Sequence, residues 1–223
     1  MLFKTRGIVF RFTPYGEASI IVTIFTELFG LQTYIVNGVR SRSSKGRMAL
    51  FQPLTLLELV VYHKENANIL RIKEVRCAYQ YVSLSSDIRK STQALFLSEM
   101  LNKAVKEQSH AGEICSFLFD SLEMLDRLPG TTENFHLVFL IKLSRFLGFG
   151  PHDPRELLTG RTLADEEEQA LGKLISSNYS DPITITHAQR KNILDLLLHF
   201  YSIHVGGLGE VRSVQVLREV LSP

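Results

Sequence analysis

The chain has 223 residues, 45% of them hydrophobic and 22% charged, with two cysteines and no tryptophan. That composition excludes a disordered, fibrous or disulfide-stapled protein and suffices for one large domain or two modest ones. The net charge of +2 conceals an asymmetry, since residues 1–80 hold eleven Lys and Arg against five Asp and Glu, whereas the remainder holds fourteen against eighteen. Such a division predicts a polyanion-binding front and a differently tasked back.

Residues 1–80 are patterned as strands. Residues 5–12 are rich in Ile, Val and Phe and are turned by Pro14, Tyr15 and Gly16; residues 18–25 form a second run, and residues 31–39 a third that Asn37-Gly38 breaks. Residues 54–62 and 69–79 supply the fourth and fifth. Five short strands in so few residues predict a small closed barrel, because an open sheet of this size leaves a face and two edges exposed; the OB-fold is the five-stranded barrel of first choice. Alternation in the fifth run puts Leu70 and Ile72 on one face and Arg71 and Lys73 on the other.

Beyond residue 80 the period becomes helical. Ser86 or Asp87 can cap a helix running to about residue 108, with Leu95, Met100, Leu101 and Val105 as its stripe, and a second helix spans residues 111–128. The third, residues 132–147, is apolar nearly all round and should be the buried centre of this half. Gly148, Gly150, Pro151 and Pro154 predict an irregular segment, residues 162–177 an acidic amphipathic helix, Thr186 and Gln189 a capping box opening a helix to His204, and residues 211–221 a last short helix. The fold class is therefore α+β, an N-terminal barrel over residues 1–80 followed by an all-helical domain over residues 81–223.

The most informative stretch joins the third and fourth strands. Arg40, Arg42, Lys45 and Arg47 alternate with serines and Gly46, and no acidic residue occurs from Leu28 to Leu57. An isolated basic run is equally well a solvated loop. Cations without counter-charges, hydroxyls and a glycine beside barrel strands suit phosphate oxygens, and nucleic acid is the leading reading. Arg71 and Lys73 can extend that surface, as can Arg6 and Arg11. Tyr34, Phe51 and Tyr62 are candidates to stack on unpaired bases, against the alternative that barrel aromatics fill the core.

Enzyme chemistry finds no motif. A P-loop and a GxSxG elbow are absent, Gly207-Leu208-Gly209 lacks the third glycine and the preceding strand of a dinucleotide fingerprint, and Asp165 to Glu168 point in different directions round one helical turn. His199 and His204 are five apart, wrong for shared ligation from one face, and no metal or other cofactor is expected. Cys77 and Cys115, far apart and outside any CxxC, read as reduced core thiols of a cytoplasmic protein. The MLFKTRGIVFRF terminus is not patterned as a signal peptide, and no apolar run reaches membrane-spanning length.

Several segments together carry a family resemblance: Arg6-Gly7-Ile8-Val9, Tyr15-Gly16-Glu17-Ala18-Ser19, residues 24–30 (IFTELFG), Asn37-Gly38-Val39-Arg40 with its serine-rich continuation, residues 50–55 (LFQPLT), residues 146–151 (FLGFGP) and Arg212-Ser213. In these the chain resembles the RecO family of bacterial DNA-repair proteins, specifically over the first 60 residues and more loosely afterwards. The resemblance implies an OB-fold joined to a helical domain, and a recombination mediator that binds single- and double-stranded DNA, anneals complementary strands, engages the acidic tail of the single-strand-binding protein, and acts with RecR to help RecA load. It places DNA binding on Arg40, Arg42, Lys45 and Arg47, and implies a cytoplasmic, nucleoid-associated protein. Lys142 and Arg145 on the third helix are candidates for the partner tail, or else plain surface charges. Many members carry a four-cysteine zinc module where residues 152–178 of this chain have no cysteine, so zinc is not carried over. The competing reading from a different class is a protein-binding scaffold whose basic loop docks acidic peptide tails.

Overall fold

A computed structural model of the chain describes residues 1–41, 46–65, 67–106, 110–130, 132–158 and 163–222. They form two compact units, residues 1–81 with 106–123, and residues 82–105 with 124–223.

The first unit holds a closed barrel of β1 (Leu2–Tyr15), β2 (Ser19–Thr26), β3 (Gly30–Val36), β4 (Leu56–Tyr62) and β5 (Leu70–Cys77), in the order β1-β2-β3-β5-β4. Closure is made by β1, which pairs with β2 along its second half and with β4 along its first, and by a short parallel contact of β3 with β5. This is the expected OB-type barrel with helices after it. Inward positions supply a continuous core that includes Val9, Val22, Ile24, Tyr34, Val36, Phe51, Leu59 and Val61. Burial of these side chains, at roughly 25 cal/mol per Å² of apolar surface, is the main stabilising term of the barrel.

Two bulges reset the facing of the strands that carry them. Pairing of β1 with β2 skips Phe10, so Val9 faces in with Ile24 while Arg11 faces out opposite Thr23. Pairing of β4 with β5 skips Lys73, an extra residue after which the facing reverses, so that Val75 packs on the core as Ile72 does. Helix α2 (Ala111–Arg127) contributes residues 111–123 to this unit.

In the second unit α1 (Ile88–Ala104) is capped by Asp87, whose carboxylate accepts from the Arg89 and Lys90 amides. Helix α3 (Phe135–Phe146) is buried at nine of its twelve positions, as its nearly all-round apolar sequence predicts, and Gly148 at φ +83° ends it in the left-handed conformation that glycine adopts without strain. The short α4 (Pro154–Leu158) forms where only irregular chain was expected, with Leu157 wholly buried as its anchor. The unit is completed by α5 (Asp165–Ser176), α6 (His187–His204), opened by the Thr186–Gln189 capping box, and α7 (Ser213–Val220).

Other differences from the sequence reading have local causes. The third strand stops at Val36 because Gly38 takes a left-handed φ of +69°. Leu95, expected on the buried stripe of α1, is 54% exposed, since 100° per residue carries it off the arc of Phe96, Leu97, Met100 and Leu101. Cys77 is exposed and only Cys115 is a core thiol, its pKa pushed up to about 12 by burial. No described helix is long and apolar enough to cross a membrane.

Candidate nucleic-acid interface

Arg47 opens a 3₁₀ turn, Arg47–Phe51, that follows Gly46 and plugs one end of the barrel with the buried Phe51 ring. This turn brings Arg47 beside β5, where a cleft of about 200 Å³ is lined by Ile35, Val36, Asn37, Arg47, Phe51, Arg71, Ile72, Lys73 and Val75. Three of the cations expected from sequence therefore converge, from two separate segments, on one cleft whose lining, among the described residues, contains no carboxylate. Arg71 and Lys73 reach it because Leu70 and Ile72, the positions before each, face the core. Glu74 lies 3.7 Å from the Lys73 ammonium, in an exposed pair that neutralises little in water.

The remaining candidates are distributed differently. Arg40 is exposed, its amide donating to Ala18 O at 2.9 Å and its guanidinium to Gly16 O at 3.2 Å, which ties the basic segment to the β1–β2 turn. Arg11 is exposed on the outer face, with Nε 3.4 Å from Thr23 Oγ1. Arg42 and Lys45 lie outside the described residues.

Arg6 has another partner. Its Nη2 lies 2.6 Å from Glu27 Oε1 and 3.1 Å from Ser116 Oγ, and the guanidinium stands over the Phe119 ring at 4.9 Å. The hydrogen bond from Arg6 holds Glu27 below the usual carboxylate range, and the same bond raises Arg6. Arg6 is thus removed from the candidate surface. The face it belongs to, a cleft of about 600 Å³, carries Lys4, Arg6 and Arg76 against Glu27, Glu58 and Glu74, a balanced lining with no preference for a polyanion.

Tyr34 cannot stack on a base. It is wholly buried in the barrel, and burial pushes its phenol pKa up. Phe51 is likewise buried, because the 3₁₀ turn that carries it packs its ring into the barrel core. Tyr62 is 48% exposed and lies directly across the β4–β5 ladder from Arg71. One exposed aromatic on the same barrel surface was missed by sequence reasoning: Tyr15, 54% exposed at the end of β1. Its signal was parity, since Arg11, Thr13 and Tyr15 alternate outward.

In the second unit, Lys142 Nζ donates to Asn178 Oδ1 at 3.1 Å and stands 5.7 Å from the centroid of the Tyr179 ring, while Arg145 is held by Ile175 O at 2.6 Å. Asn178 and Tyr179 form part of a cleft of about 440 Å³ with Phe135, Val138, Pro182 and Arg190. Partial burial, and then the neighbouring Arg145, lower the Lys142 pKa. No cluster of His, Cys, Asp and Glu able to hold a metal occurs among the described residues.

Comparison with known proteins agrees with this architecture. The family model for the N-terminal part of recombination protein O matches residues 1–81, and that for its C-terminal part matches residues 85–168. Proteins named DNA repair protein RecO from Phocaeicola vulgatus and Flavobacterium psychrophilum are each 34% identical to the chain, covering 100% of both sequences. The protein of that name from Porphyromonas gingivalis is 25% identical over 97% of this chain and 98% of its own.

Proposed function

Because the chain belongs to the recombination protein O family, which gives it a role in DNA repair and recombination, we propose that it acts as a non-enzymatic mediator that binds single-stranded DNA and anneals complementary strands. The observation that supports this most is the cleft whose described lining holds Arg47, Arg71 and Lys73 and no carboxylate; Arg40 is held separately at the β1–β2 turn. Annealing requires no reactive side chain. A cationic surface lowers repulsion between two phosphate backbones, and a shallow barrel face holds one strand with its bases free to pair.

Arg42 and Lys45 belong to the same assignment by their place between Arg40 and Arg47, and Arg11 extends it along β1. With about five phosphates neutralised, the logarithm of affinity for single strands falls with the logarithm of salt at a slope of about −3.5. The partners are RecR, the acidic tail of the single-strand-binding protein and, indirectly, RecA, in the cytoplasm at the nucleoid. The tail is assigned to the cleft beside Tyr179, with Lys142 at its edge.

The test is a fluorescence-anisotropy salt titration on a single-stranded oligonucleotide, with wild type against an Arg47→Ala, Arg71→Ala, Lys73→Ala triple variant. The expected result is weaker binding and a slope shallower by about 2. Equal binding by both proteins moves the site elsewhere. No binding by wild type, together with tight binding of an acidic peptide, puts the scaffold reading in its place.

A further inference from the structure

The outer face of the barrel is continuous across all five strands. Register places Thr13 opposite Ile21, Ile21 opposite Ile35, Ile35 opposite Arg71, and Arg71 opposite Tyr62. One row further out, Tyr15 pairs with Ser19, whose hydroxyl lies 3.2 Å from Asn37 Oδ1. The middle of this band is half-buried Ile21 and Ile35, its ends are the two exposed tyrosines, and its charged positions are Arg11, Arg71 and the neighbouring Arg47 and Lys73. None of these positions is acidic.

We propose that Tyr15 and Tyr62 stack on unpaired bases at the two ends of this band, so that the face selects single-stranded over duplex nucleic acid. The inference rests on the DNA-binding reading above and adds to it the means of discrimination. A polar outer strand position needs no large ring for stability, and both tyrosines leave about half their surface in water. Strands spaced about 4.8 Å apart put the ends of the band roughly 19 Å apart along the barrel surface, a span of several nucleotides. Cations alone bind single strands and duplexes alike. Aromatic faces do not, because a duplex keeps its base faces stacked on one another and offers a ring no partner.

The experiment measures anisotropy of a labelled single strand, the same sequence as a duplex, and an abasic strand of equal length, each across a salt series. Proteins are wild type, Tyr15→Ala, Tyr62→Ala and the corresponding Phe variants. Each Ala variant should lose roughly tenfold on the single strand with an unchanged salt slope, the Phe variants should retain affinity, and duplex binding should stay within about twofold. Wild type should lose the product of the two factors, roughly a hundredfold, on the abasic strand, a readout that needs no variant to fold. If wild type binds the intact and abasic strands equally, or if the Ala variants lose as much on duplex, base stacking and selectivity are overturned while DNA binding stands. If wild type binds none of the three, both readings fall together.

Discussion

Arg6 and Glu27 are joined by two hydrogen bonds, Nε to Oε2 at 3.1 Å and Nη2 to Oε1 at 2.6 Å, in a side-on geometry that commits the guanidinium to the protein. A cation that sequence alone groups with the DNA-binding set is thus a structural tie between β1 and the segment after β2. Lys4, Arg6 and Arg76 share one face with three carboxylates, whereas Arg47, Arg71 and Lys73 share another with none among the described residues.

Glu27→Gln should lower stability at neutral pH by about 1 kcal/mol, the guanidinium being 40% exposed and partly screened. The Glu27 pKa is depressed on folding from its ordinary 4.5, so the stabilisation is complete above that value and is lost as pH falls through the lower folded pKa. Urea denaturation of wild type and variant at pH 7 and at about pH 3 should show the difference closing in acid. Affinity for single-stranded DNA should be unaffected by Arg6→Ala, and a loss comparable to that of Arg71→Ala would return Arg6 to the interface.

His136 lies on α3 with 1% of its surface exposed, edge-on to Phe96 at 6.0 Å. Burial, and then the positive charge of Arg190, push its pKa down to about 3 from 6.5. The unfolded chain takes up the proton first on acidification, so stability falls as pH drops from 6.5 toward 3, by up to about 1.4 kcal/mol per unit. His136→Phe should flatten that part of the profile. A denaturation series between pH 4 and 7 with parallel curves for the two proteins would show that the imidazole does not titrate in this way.

Asp126 holds the chain entering α1. Its carboxylate accepts the amides of Val82, Ser83 and Leu84 at 2.9, 2.8 and 2.7 Å, and the buried Lys90 ammonium donates to Ser83 Oγ, Asp126 O and Leu128 O. Asp126→Ala leaves three amides without their acceptor, while Lys90 keeps the backbone carbonyl of residue 126, with an expected loss of about 3 kcal/mol by chemical denaturation. Asp126→Asn, which keeps one acceptor oxygen, should cost less.

Gly150 has no room for a side chain. A Cβ there would stand 2.6 Å from both the N and Cα of Arg145, backbone that cannot swing aside. The adjoining Phe149 packs against Phe200, Tyr201 and His204 with ring centroids 5.7, 5.1 and 4.9 Å away, so displacing this turn also disturbs the α6 contact. Gly150→Ala should therefore cost roughly 1–3 kcal/mol and lower Tm by several degrees, without changing the salt slope of DNA binding.

Local order was largely legible in the residues. Five β-rich runs, the Asp87 and Thr186 caps, the largely apolar α3 and the glycine stops follow from propensity, period and capping, which act over a few residues. The outward facing of Arg71 follows from parity alone. What parity cannot supply is an interruption of itself: the skipped Phe10 turns Arg11 outward, and the skipped Lys73 returns Val75 to the inner face. Nor can a string of residues tell a paired cation from an unpaired one, or a core aromatic from a surface one. Arg6 meets Glu27 and Ser116 only because β1, the chain after β2 and α2 come together, and Tyr34 is lost to the core only because the barrel closes over it. The sequence by itself determined the family, the barrel and the basic segment. The tertiary structure decided which of its charges and rings still face water, because that depends on partners brought from far along the chain.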